Sequence, residues 1–231
     1  MKELLENSVF FGVFVSIFGY EIGLLLKRKY KMAIFNPLLI AIVVVMLVLV
    51  ATGVDYDAYN EGAKYISYLL TPATVCLAIP LYQQLEMLKK NYKAILGGIF
   101  AGVLTSMVSI LALCILFHLS KEEYITLLPK SITTAIGMGV SEELGGIVTI
   151  TVAVIIITGV FGNIIGETVF RIFHITDPVA KGVALGTSAH AIGTARALEI
   201  GEVEGAMSGL SIAVAGLMTV VTASVFANIY I

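Results

Sequence analysis

Residues 94–117 read AILGGIFAGVLTSMVSILALCILF and contain no charged side chain in 24 positions. A hydrocarbon core of about 30 Å needs about 20 apolar residues in a helix, so this stretch predicts a transmembrane span. Residues 7–26, which only Glu21 interrupts, predict a second span of this kind. Charge-free runs predict four more, at 32–54, 65–85, 144–166 and 205–231.

The composition extends this prediction to the whole chain. Of 231 residues, 58% are hydrophobic and 13% charged, and the mean hydropathy is +0.99. Soluble domains carry about 25% charged residues, so this chain has too little polar surface for a globule in water. A soluble enzyme, a secreted disulfide scaffold and a disordered tail are excluded. A net charge of −2 with no strongly basic stretch predicts no nucleic-acid partner.

Two further segments are apolar but contain costly polar residues, at 124–141 and 182–198. The predicted fold class is therefore an all-α polytopic membrane protein, residues 1–231 forming one domain in the lipid bilayer. It has about six full spans and two discontinuous or re-entrant segments. Lysine clusters at 27–31 and 89–93 are expected in the cytoplasm, which predicts an outside N-terminus. The same rule favours a re-entrant 124–141 over a spanning one.

This topology predicts inverted repeats with helices broken at mid-membrane, with halves at about 1–120 and 121–231. The segment 65–85 would run inward before an outward helix at 94–117. The segment 182–198 would run outward before an inward helix at 205–231. A closer echo relates SITTAIG at 131–137 to TSAHAIG at 187–193.

The stretch LLPKSITTAIGMG at 127–139 is the most informative for function. A lysine at a helix centre in lipid costs about 2.5–3.5 kcal/mol, so a buried Lys130 requires a reason. Pro129 and Gly137 predict a broken helix. One interpretation is an anion site made of Lys130, a helix N-terminus and the hydroxyls of Ser131, Thr133 and Thr134. The alternative is a lysine that reaches the headgroups, with Pro129 starting a helix.

The second informative stretch is GTSAHAIGTAR at 186–196. Helical spacing places Thr187, His190 and Thr194 on one face, and Gly193 predicts a break. In this interpretation His190 binds a carboxylate or exchanges a proton, and Arg196 holds a carboxylate through two hydrogen bonds. Ser188 belongs to the same expected substrate site. Alternatively, His190 bonds a backbone carbonyl and Arg196 lies near the membrane interface.

Other candidates are more isolated. Pro72 and Pro80 predict helix breaks in the segment 68–84. Asn36, before Pro37, either lines the site or caps a helix, and capping is the more frequent role. Glu167 is a second candidate for proton coupling, beside His190. No nucleotide loop, metal-ligand spacing or catalytic triad occurs, so no cofactor, metal or enzymatic activity is expected.

Three blocks of this sequence carry a family resemblance: NPLL at 36–39, LPKSITT at 128–134 and GTSAHAIGTA at 186–195. Together they resemble the signature blocks of the LrgB/CidB membrane family, and the resemblance covers essentially the whole chain. One departure is Ala135, where the family often has proline. The resemblance implies a multi-pass protein of the bacterial inner membrane, often encoded beside a smaller LrgA/CidA-type membrane partner.

Two functions follow as hypotheses. Some members of the resembled family are linked to pyruvate uptake, and a plant chloroplast relative exchanges glycolate and glycerate. Because Lys130, His190 and Arg196 form a surplus of cations among hydroxyls, the sequence favours a secondary carrier of small monocarboxylates. The alternative is a holin- or antiholin-like regulator of murein hydrolase export and autolysis. A homo-oligomer, most simply a dimer, is expected.

Overall fold

The structure is a computed structural model that describes residue 6 and residues 8–30, 35–69, 72, 75, 76 and 78–230. The described part is helical and contains no strand. In chain order the helices are α1 Val9–Tyr30, α2 Pro37–Thr52, α3 Tyr56–Ser67, α4 Ala78–Gln83, α5 Leu85–Leu116, α6 Lys121–Leu127, α7 Thr134–Leu144, α8 Val148–Ile172, α9 Pro178–Ile200 and α10 Glu202–Phe226.

Four helices have the length and apolar composition of membrane spans: α1, α5, α8 and α10. Helix α2 is apolar but has only 16 residues. The predicted span at 65–85 is not one helix, because α3 ends at Ser67 and α4 and α5 are separate around Gln84. Residues 70, 71, 73, 74 and 77 of that span lie outside the described part. The structure therefore supports a protein with several membrane-spanning helices. Among the described residues, four helices are long and apolar enough to span a membrane.

The chain divides into two compact units, residues 1–76 and 77–231. In the first unit, α1 packs against α2 and α3. Gly12 allows this approach, because an added Cβ would lie against the backbone of Tyr59 and Ala63. Ser16 Oγ and Tyr59 OH share a hydrogen bond of 2.8 Å. The candidate site residues in this unit are Asn36 and Pro72.

In the second unit, residues 121–144 fold back on themselves, and we call this segment hairpin 1. Helix α6 ends at Leu127, residues 128–133 are not helical, and α7 begins at Thr134. The base of the hairpin closes on the start of α8, since Thr126 Oγ1 accepts from Ile147 N at 2.8 Å and Thr151 Oγ1 donates to Thr126 O at 2.9 Å. Tyr124 OH donates to Phe226 O at 3.1 Å, which places the same base beside the end of α10.

Helix α9 also folds back, and we call residues 178–200 hairpin 2. The chain breaks at His190, whose φ of 42° and ψ of −135° are not helical. Gly193 packs against Leu185 O, although eight residues would be about 12 Å apart along a continuous helix. Ala197 shares a buried cluster with Leu185. The segment 182–198 is therefore discontinuous, with its break at His190.

The two hairpins enter the unit from opposite ends. Lys181 and Ile200 line one small cavity with the end of α8, so both ends of hairpin 2 lie there. Gly182 packs against Glu204 at the start of α10. Hairpin 1 instead has its base at the start of α8 and the end of α10. Both hairpins contact Ile155 of α8: its side chain lies against Gly137 in α7 of hairpin 1, and its carbonyl bonds His190 of hairpin 2.

Several predicted breaks need correction. Gly137 is an interior residue of α7, and Gly193 lies on the second arm of hairpin 2; both serve close packing. Pro129 lies in the non-helical tip of hairpin 1, as predicted. Pro80 lies inside the short helix α4, and Pro72 is helical with its neighbours 71 and 73 outside the described part.

Candidate functional site

A large cavity of the second unit, about 890 Å³, lies between α5, α8 and the first arm of hairpin 2. Asn91, Phe170 and Asp177 line one end, near the ends of hairpin 2. Lys130 and Ser131, at the tip of hairpin 1, line the other end. Helix α9 packs against both α5 and α8, so the cavity is a groove that hairpin 1 closes with its tip.

Lys130 is half-buried at the inner end of this cavity. Its Nζ donates to Ser131 Oγ at 3.0 Å, and Ser131 Oγ lies 3.2 Å from Ser106 Oγ on α5. Throughout the described residues, no carboxylate lies within ion-pair distance of Lys130. An ammonium group among hydroxyls, without a counter-ion, is a donor set suited to a small anion.

The cavity wall carries further hydroxyls. Thr187 and Ser188, two of the predicted substrate-site residues, line it. Both side chains also bond carbonyls one turn earlier, of Val183 at 2.6 Å and Ala184 at 2.7 Å. Four more hydroxyl residues of this wall were not among the predicted site residues. They are Thr105, Ser106, Ser109 and Thr158. The only signal for them was a hydroxyl inside an apolar span, which is common in helices that bond their own backbone.

Small residues allow the elements around the cavity to approach. A Cβ on Gly102 of α5 would lie 2.5 Å from Thr187 Cγ2, and a Cβ on Gly162 of α8 would lie 2.6 Å from Ala189 Cβ. Larger residues at these positions would push hairpin 2 away from both helices. Glycines of the long helices thus serve packing, and Thr187 and Ser188 are presented to the cavity as a result.

His190 does not line the cavity. Its ring is 3% exposed, its Nε2 lies 2.9 Å from Ile155 O, and the ring packs against Gly159. The predicted substrate contact is therefore corrected: the alternative interpretation, a bond to a neighbouring backbone carbonyl, describes the geometry. This contact joins the tip of hairpin 2 to α8.

Thr194 is also buried away from the cavity. Its Oγ1 donates to His190 O at 3.1 Å and shares a hydrogen bond of 2.7 Å with Ser208 of α10. The expected common face of Thr187, His190 and Thr194 does not form, because the break places Thr187 and Thr194 on different arms. Thr194 fastens the second arm to α10.

Arg196 and Glu167 pair with each other outside the large cavity. Arg196 Nη2 lies 2.7 Å from Glu167 Oε1, and Arg196 also bonds Glu199. Arg196 was predicted to bind a substrate carboxylate, but it binds the carboxylates of Glu167 and Glu199 instead. Glu167 does not line the large cavity either.

The remaining predicted site residues have local roles. Thr133 and Thr134 are the N-cap and first residue of α7 and do not line the large cavity. Asn36 caps α2 by accepting from Leu38 N at 2.9 Å and Leu39 N at 3.2 Å. Ala135, where the resembled family often has proline, is the second residue of α7, and the first turn of a helix tolerates proline. Alanine at this position therefore does not move the break, which lies at residues 128–133. The described residues hold no cluster of three potential metal ligands.

The fold and the cavity define a helical membrane protein in which Lys130 and several hydroxyls lie in a mainly apolar cavity between two long helices and two interrupted segments. The sequence model of the LrgB-like family matches residues 16–229, which is nearly the whole chain. The chain therefore belongs to the LrgB-like family of membrane proteins, a family of holin-like and transport type, and the resemblance seen in the three sequence blocks is confirmed. No solved structure matches it.

Proposed function

We propose that this protein is a secondary carrier of small monocarboxylates of the pyruvate, glycolate or glycerate type. The observation that carries the proposal is Lys130, which lies without a carboxylate partner at the end of the large cavity. Ser106 and Ser131 supply hydroxyl donors beside it. One cation with several hydroxyls suits a small monoanion that also has an oxygen substituent.

The proposed membrane arrangement follows from the opposed hairpins. Hairpins 1 and 2 would enter the bilayer from opposite faces, with broken backbone only where the unit's own helices surround it. Arg171 and Lys181 line the small cavity at the base of hairpin 2, and Lys89 and Lys93 flank Asn91, which lines the same end of the large cavity. That end would be cytoplasmic by the positive-inside rule, and the acidic base of hairpin 1, with Glu122 and Glu143, would be outside.

In place of the predicted halves 1–120 and 121–231, the proposed inverted repeat pairs each hairpin with the helix that follows it. The similar segments 131–137 and 187–193 are 56 residues apart. The same offset added to the first residue of α8, 148, gives 204, which is near the start of α10. A Cβ added to Gly137 would lie 3.5 Å from Pro129 O, and a Cβ added to Gly193 would lie against Leu185 O. Both carbonyls lie eight residues earlier. Related hairpins of opposite direction would allow the site to open to either side in turn.

The direct test is transport by the purified protein in liposomes, into which reconstitution inserts the protein in both orientations. We expect saturable counterflow of radiolabelled pyruvate and glycolate. The Lys130→Ala variant should lose about 10- to 100-fold in affinity, because a hydrogen bond to a charged group contributes about 1.5–3 kcal/mol. Lys181→Ala, outside the large cavity, is the matched control.

The same liposomes distinguish the alternative function. A holin-like pore or regulator would release a trapped dye or show no pyruvate flux, with or without an ion gradient. Adding a small LrgA/CidA-type partner tests whether such a protein is required, and crosslinking in the membrane tests the expected homodimer. Absence of carboxylate flux under all of these conditions contradicts the carrier.

A further inference from the structure

The environment of Lys130 raises the question of how its charge is compensated when no substrate is bound. Burying a charge without a counter-ion is costly, and the cost is avoided if an anion arrives or the proton leaves. The polar neighbours that the structure gives Lys130 are Ser131 and, through it, Ser106. Both are neutral hydroxyls.

Few titratable groups surround this lysine. The polar residues that line the cavity from α5, α8 and hairpin 2, apart from Asn91 and Asp177 at its other end, are hydroxyls: Thr105, Ser106, Ser109, Thr158, Thr187 and Ser188. No side chain that titrates occurs in α10 between residues 205 and 226. Asp177, the carboxylate that lines the cavity, lies at the opposite end and caps α9 by accepting from Ala180 N at 2.8 Å.

The two candidates that the sequence offered for proton coupling are already engaged. His190 interacts electrostatically with Lys130, but its ring is buried outside the cavity wall and bonded to Ile155 O. Glu167 is paired with Arg196. At the inner end of the cavity, Lys130 is the titratable group that lacks an ionic partner in the described structure.

We propose that Lys130 carries the coupled proton, so that each monocarboxylate crosses with one proton. This inference rests on the carrier function proposed above. The neutral amine takes a proton from water on one side, and the ammonium group then pairs with the carboxylate. After the site opens to the other side, the carboxylate leaves, the proton follows it into water, and the neutral amine is restored. One proton and one monoanion move, so the cycle transfers no net charge.

Arginine separates binding from coupling at this position. A guanidinium group keeps its positive charge at every accessible pH, whereas an amine can lose it. A Lys130→Arg protein can hold a carboxylate, yet its empty site remains charged. Such a carrier exchanges one anion for another but cannot complete a cycle driven by protons.

The experiment uses liposomes with the wild type, Lys130→Arg and the control Lys181→Arg, and radiolabelled pyruvate as the probe. Counterflow is measured at equal pH, and accumulation is measured with an acidic exterior. We expect Lys130→Arg to lose accumulation at least tenfold more than it loses counterflow, while Lys181→Arg behaves as wild type. Accumulation by Lys130→Arg overturns the proposal. Wild-type counterflow without accumulation under the pH gradient also overturns it but leaves the carrier intact, whereas missing wild-type counterflow overturns the carrier itself.

A second measurement does not need a Lys130 variant. Pyruvate is added to the detergent-purified protein in weak buffer between pH 6 and 9, and the released or absorbed protons are titrated. We expect absorption of up to one proton per pyruvate bound by both the wild type and Glu167→Gln. Absence of proton absorption by the wild type across this range, or its loss in Glu167→Gln, overturns the proposal.

Discussion

Hairpins 1 and 2 share a fold-back geometry but differ in what their tips present. The tip of hairpin 1 is a run of six non-helical residues that contains Pro129 and places Lys130 in the cavity. The tip of hairpin 2 is a break at one residue, His190, whose ring turns away to Ile155 O. One hairpin thus contributes the charge of the site, and the other contributes hydroxyls and an attachment to α8. Related backbone geometry does not imply the same chemical role.

The largest expected effect concerns the glycine that closes each hairpin. A Cβ at Gly193 would meet the backbone carbonyl of Leu185, whereas a Cβ at Gly137 would meet mainly the movable end of the Ile155 side chain. We expect Gly193→Ala to destabilise the protein by about 1–3 kcal/mol and Gly137→Ala by less, as is typical of overpacking. Thermal unfolding in detergent measures both.

Gly139 is the matched control for this series, because an added Cβ would meet nothing within 4 Å. Gly139→Ala in α7 should be neutral or slightly stabilising, since alanine favours helices. Equal losses at positions 193 and 137 would remove the difference between the two hairpins.

The next effect tests the break in hairpin 2. His190 has a positive φ of 42°, where a side chain is strained and glycine is not. His190→Gly should therefore be more stable than His190→Ala by about 1 kcal/mol. Ala184, on the first arm of the same hairpin, should show the reverse order, because glycine destabilises a regular helix. If alanine is the more stable residue at 190, the break does not lie at this residue.

A smaller effect is expected at the base of hairpin 2. Arg196 pairs with Glu167 and Glu199 and is partly exposed, so its ion pairs contribute at most about 1 kcal/mol. Arg196→Gln should change the affinity for pyruvate less than twofold in the thermal-shift or counterflow assay. Glu199→Gln serves as the control. A tenfold loss of pyruvate affinity in Arg196→Gln would indicate that Arg196 binds the substrate.

The smallest effect concerns the base of hairpin 1. Ser120 N donates to Glu123 Oε2 at 2.7 Å, and this hydrogen bond holds the pKa of Glu123 below its ordinary value of 4.5. The resulting stabilisation is present above that value and is lost as the pH falls through the lowered pKa. Glu123→Gln should therefore melt slightly below wild type at pH 7 and together with it at low pH. Glu122→Gln, in the same turn, should show a smaller difference, because Glu122 lacks the capping bond.

The sequence was most informative where one residue is decisive by its own chemistry. Pro129 cannot continue a helix without losing a backbone hydrogen bond, so the break near it was predictable. Lys130 in an apolar stretch was recognisable as a costly charge. Thr187 and Ser188 also line the cavity as expected, whereas Gly137 and Gly193 were misread, because a glycine allows both a break and a close approach.

The sequence by itself determined the membrane environment, the helical class and the interrupted segment around Lys130, since hydropathy, proline and charge act locally. Tertiary structure decided the rest. The break at His190 depends on Ile155, 35 residues away, and the hydroxyl beside Ser131 comes from Ser106, 25 residues earlier. Arg196 lies outside the expected substrate site and pairs with Glu167 of α8. Such pairings are set by how the helices pack, and no local pattern encodes the distance between two helices.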